Sequence, residues 1–102
     1  MTDDDIKLGR TTGLGSELYC PCGMNNLHQH KYKIFERSED QQQVKETTVD
    51  WQGTYVRVVD NKDSDNPSSR RNGMQIFFAC EGEHEVVLNI SQHKGCTYIR
   101  WA

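Results

Sequence analysis

The chain has 102 residues with a formal net charge of −3, and 34% of its residues are hydrophobic. This length predicts one domain with a modest core, and the acidic balance argues against a broad nucleic-acid-binding surface. The sequence also lacks a run of about eighteen apolar residues, so we expect no membrane span.

The first sixteen residues predict a flexible acidic arm. Three consecutive aspartates, Asp3 to Asp5, precede a glycine-rich stretch with few apolar side chains. An alternative is an arm that becomes ordered on a partner. The start has neither the basic nor the apolar region of a signal peptide, so we expect a cytoplasmic protein. We therefore divide the chain into an arm over residues 1–16 and a single domain over residues 17–102.

Five segments further along have the alternating, β-branched and aromatic content of strands. The segment 74–80 is apolar on both faces, which favours a central strand. A polar turn at 92–95 joins the last two segments into a hairpin. We predict an all-β domain, a small antiparallel sheet of about five strands, which cover residues 32–36, 53–59, 74–80, 86–91 and 97–101.

Two polar segments are predicted to connect these strands. Residues 38–41 have the spacing of a helix capping box, but the single apolar residue Val44 gives a helix there no apolar face. Residues 60–72 predict a loop that is long for a compact domain, and long loops are often functional.

Two cysteine-containing turns predict a metal site. Pro21 and Gly23 shape the first turn, and Gly82 permits the second, which separates the end of one strand from the start of the next. Short spacing lets each turn present two ligands to one ion, and a reducing cytoplasm disfavours disulfides. We expect a zinc-ribbon-like site with one structural zinc ion, and its ligands are Cys20, Cys22, Cys80 and His84.

The fourth ligand has alternatives. His28 or His30 follows the first turn closely, His93 lies at a hairpin tip, and Cys96 begins the last strand. The competing interpretations are surface histidines, a small buried cysteine, and turns that arose by chance and hold no metal.

The polar loop supplies the most distinctive binding feature. Arg70 and Arg71 are adjacent, and two arginines can make bidentate contacts with phosphate or carboxylate groups. Together with His93 and Lys94 they would form a compact cationic site. The alternative is that the arginines only pair with nearby acidic residues, namely Asp60, Asp63 and Asp65.

Trp51 lies between polar segments and is a candidate anchor for a protein partner, with a place at the edge of the core as the alternative. We find no catalytic signature. Thiolate-rich zinc sites are mostly structural, although the glutamates beside the second turn could assist a zinc-bound water in a hydrolase.

The chain resembles a family of short, largely uncharacterised bacterial and phage proteins with zinc-ribbon-like cysteine turns. Members of that family have two cysteines in each turn. Here the first spacing is one residue shorter, and Glu83 stands where the second cysteine of the later turn is expected, next to His84. The resemblance extends from about Tyr19 to Trp101 and is carried by Cys20-Pro21-Cys22-Gly23, Leu27-His28, Arg37 with Glu39-Asp40, Asn66-Pro67-Ser68 with Arg70-Arg71 and Gly73, Phe78-Ala79-Cys80-Glu81-Gly82, and Gln92-His93-Lys94-Gly95 with Thr97 and Trp101.

These observations favour a small non-enzymatic interaction protein stabilised by zinc. We expect an accessory or counter-defence protein of a phage or mobile element that binds a host protein. The alternative is a nucleic-acid-associated zinc-ribbon protein that uses the loop with Arg70 and Arg71.

Overall fold

A computed structural model describes residues 6–102 of the protein. The described residues contain strands and one short 3₁₀ turn, Asn61–Asp63, so the predicted all-β class is confirmed. The strands number eight rather than about five: β1 Leu8–Thr12, β2 Gly15–Leu18, β3 Leu27–Glu36, β4 Gln43–Asp50, β5 Gly53–Asp60, β6 Gly73–Cys80, β7 His84–His93 and β8 Cys96–Trp101.

Six strands form one antiparallel sheet in the order β5-β4-β3-β6-β7-β8, and β1 pairs with β2 in a separate hairpin. The large sheet consists of two meanders, β3-β4-β5 and β6-β7-β8, which meet where β3 pairs with β6. The apolar strand β6 therefore lies in the middle of the sheet, as its sequence predicts. The hairpin predicted around residues 92–95 is the β7–β8 connection.

Strand β4 was missed because its pattern mixes charge with β-branched residues. Val44 and Glu46 point to the same face of β4 and are both buried, Glu46 to 1% exposure. A buried carboxylate does not register as a core position in a hydrophobic pattern. The segment with capping-box spacing forms a turn instead of a helix, in which the Gln41 amide donates to the Ser38 carbonyl at 2.9 Å.

The N-terminal segment differs from the predicted arm. Residues 1–5 of that arm lie outside the described residues, whereas β1 and β2 form an antiparallel hairpin. Ile6 and Leu18 pack against the buried cluster of the large sheet. The Tyr19 ring also lies where a side chain on Gly9 would be, so this glycine permits a close contact. Two apolar anchors are enough to dock a segment of otherwise polar composition.

The two faces of the large sheet are covered at different places. On one face the N-terminal hairpin covers Phe78, Leu88 and Trp101, and the rings of Phe78 and Trp101 meet edge to face at 6.0 Å. The rest of this face has no covering layer in the described structure. It presents a row of side chains across all six strands, composed of Val56, Thr47, Ile34, Met74, Ile90 and Ile99.

The opposite face is covered by the loop between β5 and β6. This loop contains only the 3₁₀ turn, as the prediction of a loop over residues 60–72 implies. Ser64 donates to Glu46 at 2.6 Å, and Asn66 and Pro67 occupy the space that a side chain on Gly73 would need. The loop therefore closes the buried pair Phe35 and Val44 from solvent.

Strand direction divides the sheet into two ends. One end holds the start of β3 and the β6–β7 turn. The other end, which we call the far end, holds the connections 37–42 and 61–72 and the β7–β8 turn. None of the described residues belongs to a helix long and apolar enough to cross a membrane.

Candidate metal centre

The first cysteine turn is a β-turn that suits its residues. The Gly23 amide donates to the Cys20 carbonyl at 2.8 Å, so Pro21 occupies the second position, where its fixed φ is favoured. Gly23 has φ +99°, a conformation that glycine adopts without steric cost. The Cys20 amide donates to the Met24 carbonyl, which closes the turn around both cysteines.

The second turn is a three-residue hairpin loop between Cys80 and His84, which are paired in register. The Glu83 amide donates to the Cys80 carbonyl at 3.0 Å, and Glu83 itself has φ +68°. The residue of this turn with the left-handed conformation is therefore Glu83 and not the glycine. Three-residue hairpin loops commonly end with such a residue.

Gly82 is required for space rather than for φ. Its amide donates to the Cys80 sulphur at 3.3 Å, and a Cβ on Gly82 would lie 3.0 Å from Met24 Sδ and 3.3 Å from His84 Cε1. The glycine thus lets the two turns approach each other closely.

Pairing between β3 and β6 brings the two turns together. Leu27, which follows the first turn, is opposite Cys80, and the Glu81 amide donates to the Asn26 carbonyl at 3.1 Å. Two segments about sixty residues apart in sequence thereby share one corner of the sheet.

The four predicted ligands meet at this corner. Cys20, Cys22, Cys80 and His84 form the group that could hold a metal ion, and their ligand atoms all lie within 4.8 Å of one another. The Cys20 and His84 ligand atoms are 3.1 Å apart, and the sulphurs of Cys22 and Cys80 are 3.6 Å apart. Tetrahedral zinc, with bonds of about 2.3 Å to sulphur and about 2.0 Å to nitrogen, separates its ligand atoms by about 3.5–3.8 Å. The group therefore fits such an ion after small side-chain shifts.

His84 is oriented for metal binding. Its Nδ1 lies 3.2 Å from the Gly82 carbonyl, which can only accept, so Nδ1 carries the proton. In the neutral ring Nε2 is then free to bind a metal ion, and it faces the Cys20 sulphur. A backbone carbonyl that fixes the histidine tautomer in this way is a common outer contact of metal-binding histidines.

The thiols differ in acidity. Burial raises the pKa of Cys20 to about 12, whereas a hydrogen bond from the Met24 backbone amide lowers the pKa of Cys22 to about 7. Without metal, Cys22 is therefore the thiol that ionises most readily of these two. A bound cation would favour the thiolate form of every cysteine in the group.

The alternative ligands lie elsewhere. His28 contacts Glu81 at 2.6 Å and His30 contacts Glu85 at 3.1 Å, so both histidine rings already have carboxylate partners beside the second turn. His93 is at the opposite end of β7 from His84, about 30 Å away for nine strand residues. Cys96 pairs with His93 and shares this distant position.

The predicted cationic residues converge at the far end of the sheet. Arg70, Arg71, His93 and Lys94 line one cleft of about 90 Å³ together with Glu39 and Gln92. Trp51 is not part of this group, because it lies in the β4–β5 turn at the other end of β4.

Both arginines already have acidic partners, although not the predicted ones. Arg70 binds Asp40 through two contacts of 2.8 and 2.6 Å, and Arg71 binds Glu39 at 2.6 Å. Arg70 also holds the pKa of Asp40 below its usual value. These contacts join the loop 61–72 to the connection 37–42 and neutralise much of the charge at the far end.

The exposed hydrophobic residues of β5 were not singled out by the sequence. Tyr55, Val56 and Val58 are 52%, 57% and 59% exposed, and they follow Trp51 of the β4–β5 turn, which the sequence did identify and which is 88% exposed. Alternation in β5 predicts a strand but does not reveal whether a second layer covers it. The edge position of β5 in the sheet decides this exposure.

Comparison of the chain with protein-family models, with curated proteins and with solved structures gives no match.

Proposed function

We propose that the protein is a non-enzymatic protein-interaction module held together by one structural zinc ion. The observation that carries this proposal is the exposure of Trp51 at the tip of the β4–β5 hairpin, in a chain that buries few large side chains. Large exposed aromatic residues are enriched at the energetic centres of protein interfaces.

Zinc suits the donor set better than other common ions. Three thiolates and one imidazole are soft and borderline ligands, which disfavours calcium and magnesium. Two ligands come from each of two tight turns, the arrangement of structural zinc sites. Cys20, Cys22, Cys80 and His84 would hold the ion and tie the two meanders together.

The same donor set argues against a hydrolytic role. Four protein ligands complete a tetrahedral zinc and leave no position for a reactive water. Glu81 and Glu85, which could have served as bases near the second turn, are paired with His28 and His30. The ion would therefore stabilise the fold and take no part in chemistry.

The contact surface that we propose is the tip of the β4–β5 hairpin. The Gln52 amide donates to the Asp50 side chain at 2.9 Å and orders the turn, so Trp51 is presented on a defined backbone. A preorganised aromatic anchor loses little conformational freedom on binding. The partner that we propose for this surface is a host protein, bound by an accessory protein of a phage or mobile element.

A nucleic-acid partner at the far end is the second candidate. Arg70, Arg71, His93 and Lys94 share a cleft, which supports this alternative. Glu39 and Asp40 occupy the two arginines, however, and a phosphate would have to displace them. The acidic net charge of the chain also disfavours it.

Capture from a bacterial lysate at low and at high salt tests the proposal. Zinc-loaded protein should retain a partner at both salt concentrations, and Trp51→Ala should lose it. Tyr98→Ala is the matched control, because Tyr98 is a half-exposed aromatic on the opposite edge strand. Capture that disappears at high salt and survives Trp51→Ala would favour the nucleic-acid alternative.

A further inference from the structure

Strand β5 is an unprotected sheet edge. It pairs with β4 through eight consecutive residues without a bulge, and its outer side has no neighbouring strand in the described structure. Its sequence, Gly53–Asp60, contains no proline and no lysine. Natural edge strands are usually short, bulged, charged or covered, because an open edge pairs readily with another strand.

The other edge, β8, is shorter and partly covered. It has six residues, and its last residue, Trp101, is buried beneath the N-terminal hairpin. β8 nevertheless carries nearly the same sequence as β5, since Thr97-Tyr98-Ile99-Arg100 corresponds to Thr54-Tyr55-Val56-Arg57. The two edges differ in how accessible they are rather than in composition.

The side chains of β5 are arranged for pairing with an identical strand. Tyr55 and Arg57 point to one face of the sheet, while Thr54, Val56 and Val58 point to the other. The Nε and Nη2 atoms of Arg57 both lie 2.8 Å from Oε1 of Glu46, which holds the guanidinium in place. Arg57 therefore has a fixed position beside Tyr55.

We propose that β5 pairs with β5 of a second copy of this chain, antiparallel about a two-fold axis at Val56. This register places Val56 opposite Val56 of the second copy and Thr54 opposite its Val58. It also places Tyr55 opposite Arg57 of the second copy, twice by symmetry, where a cation can lie over an aromatic ring. The two six-stranded sheets then form one continuous sheet, and the uncovered apolar row of each copy meets at Val56.

Neighbouring registers are less favourable. An axis at Arg57 would place two arginines opposite each other, and an axis at Tyr55 would leave Arg57 opposite Gly53. A register shifted by one residue would put Val56 beside Arg57 and join the apolar face of one copy to the polar face of the other. Among these registers, only the axis at Val56 places valine opposite valine on one face and a cation opposite an aromatic ring on the other.

A two-fold arrangement also gives a closed dimer, because each copy uses its β5 edge once and leaves none for a third copy. Pairing of β5 with β8 of another copy would satisfy a similar pattern, but it is heterologous and would extend into open polymers. Burial of Trp101 at the end of β8 disfavours that arrangement. The proposed β5–β5 contact lies in the same hairpin as the proposed contact surface for a partner, but it requires neither Trp51 nor another protein.

Sedimentation equilibrium of the zinc-loaded full chain tests the assembly state. We expect a concentration-dependent dimer. Val56→Lys should raise the dissociation constant of this dimer at least about tenfold, because two lysines would face each other across the axis. Ile99→Lys, at the half-exposed equivalent position of β8, should leave the dimer intact. A wild-type chain that stays monomeric, or polymers that Ile99→Lys abolishes, would overturn the proposal.

Cysteine crosslinking tests the register without relying on a disruptive variant. In a Cys96→Ser background, Val56→Cys should give a disulfide-linked dimer on mild oxidation, because residues opposite each other in a strand pair have suitable Cα separations. Val58→Cys should not, since its opposite residue is Thr54. Equal crosslinking of the two variants would contradict the axis at Val56. A monomer that still captures a partner through Trp51 would overturn the dimer and leave the proposed function standing.

Discussion

The amide of Gly82 donates a hydrogen bond to the Cys80 sulphur at 3.3 Å. A Cβ on Gly82 would lie only 3.0 Å from Met24 Sδ and 3.3 Å from Cε1 of His84. Position 82 is therefore an outer contact of the metal group that only glycine fills without displacement. We predict that Gly82→Ala weakens zinc affinity about tenfold, the size of effect usual for outer-shell changes. Competition with a chromophoric chelator measures it.

Gly13→Ala is the control, because the space around Gly13 is empty. Equal zinc affinity of Gly82→Ala and the wild type would show that the second turn tolerates the extra methyl group.

Zinc removal should lower the melting temperature sharply, because metal binding and folding are coupled in such sites. We predict about one zinc per chain, and its loss as the pH falls, since thiolates and imidazole must be deprotonated to bind. His84→Ala should lose more zinc than His28→Ala, whose ring contacts Glu81 instead. Elemental analysis of the two variants decides the fourth ligand, and equal zinc contents would contradict His84.

Glu83 has a left-handed backbone conformation, which costs about 1–2 kcal/mol for a residue with a Cβ. We predict that Glu83→Gly stabilises the zinc-loaded protein by up to about 1 kcal/mol, since glycine recovers this energy but gains freedom when unfolded. Glu85→Gly, two residues later in β7, should destabilise it instead. Urea denaturation gives both signs, and a destabilised Glu83→Gly would contradict the assigned backbone.

We predict that the ionised carboxylate of Glu46 stabilises the folded protein and that this contribution is lost in acid. Burial raises the pKa of Glu46, but hydrogen bonds from Ser64 and Arg57 outweigh it and hold the pKa below its usual value. A carboxyl group with a lowered folded pKa contributes stability above the unfolded pKa of about 4.3, and this is lost as the pH falls through the folded pKa.

Glu46→Gln should therefore unfold more easily than the wild type at neutral pH, by about 1–3 kcal/mol. The difference should shrink as the pH falls below about 4.3. Urea denaturation of both proteins over this range measures it, and comparison at each pH cancels the loss of zinc. A difference that is constant with pH would contradict the role of the ionised carboxylate.

Arg37 should matter more for stability than the two loop arginines. Arg37 donates to the Ser69 carbonyl at 2.8 Å and to the Gln41 carbonyl, and thereby joins two connections at the far end. Arg37→Ala should cost about 1–3 kcal/mol, because two hydrogen bonds that each contribute about 0.5–1.5 kcal/mol are lost. Arg70→Ala and Arg71→Ala remove half-exposed ion pairs and should each cost less than about 1 kcal/mol. The reverse ranking in urea denaturation would show that Arg70 and Arg71 hold the loop.

The sequence was sufficient to predict which four residues come together in the metal group, because each pair of them lies in one local turn. Cys80 ends β6 and His84 begins β7, so strand alternation and turn residues were enough to place them. It was insufficient for β4, whose buried position holds Glu46. The partners Ser64 and Arg57 that make this burial tolerable lie 18 and 11 residues away, and only the folded chain brings them together.

The partners of Arg70 and Arg71 show the same limit. Aspartates close in sequence were the expected partners, but the sheet places the connection 37–42 next to these arginines. The N-terminal hairpin was missed for a related reason. Its composition is that of a flexible segment, and its order comes from Ile6 and Leu18 docking on a surface that other strands build.

The pairing of β3 with β6 also sets an order of events during synthesis. Cys22 and Cys80 are 58 residues apart in the sequence, so Cys20 and Cys22 emerge from the ribosome long before Cys80. Until then the nascent chain offers an ion only these two cysteines of the group. The complete set exists only after both meanders have met, and the ion then closes a loop whose ends are costly to bring together. Contacts of such long range slow folding, which makes the N-terminal half dependent on the arrival of the C-terminal half.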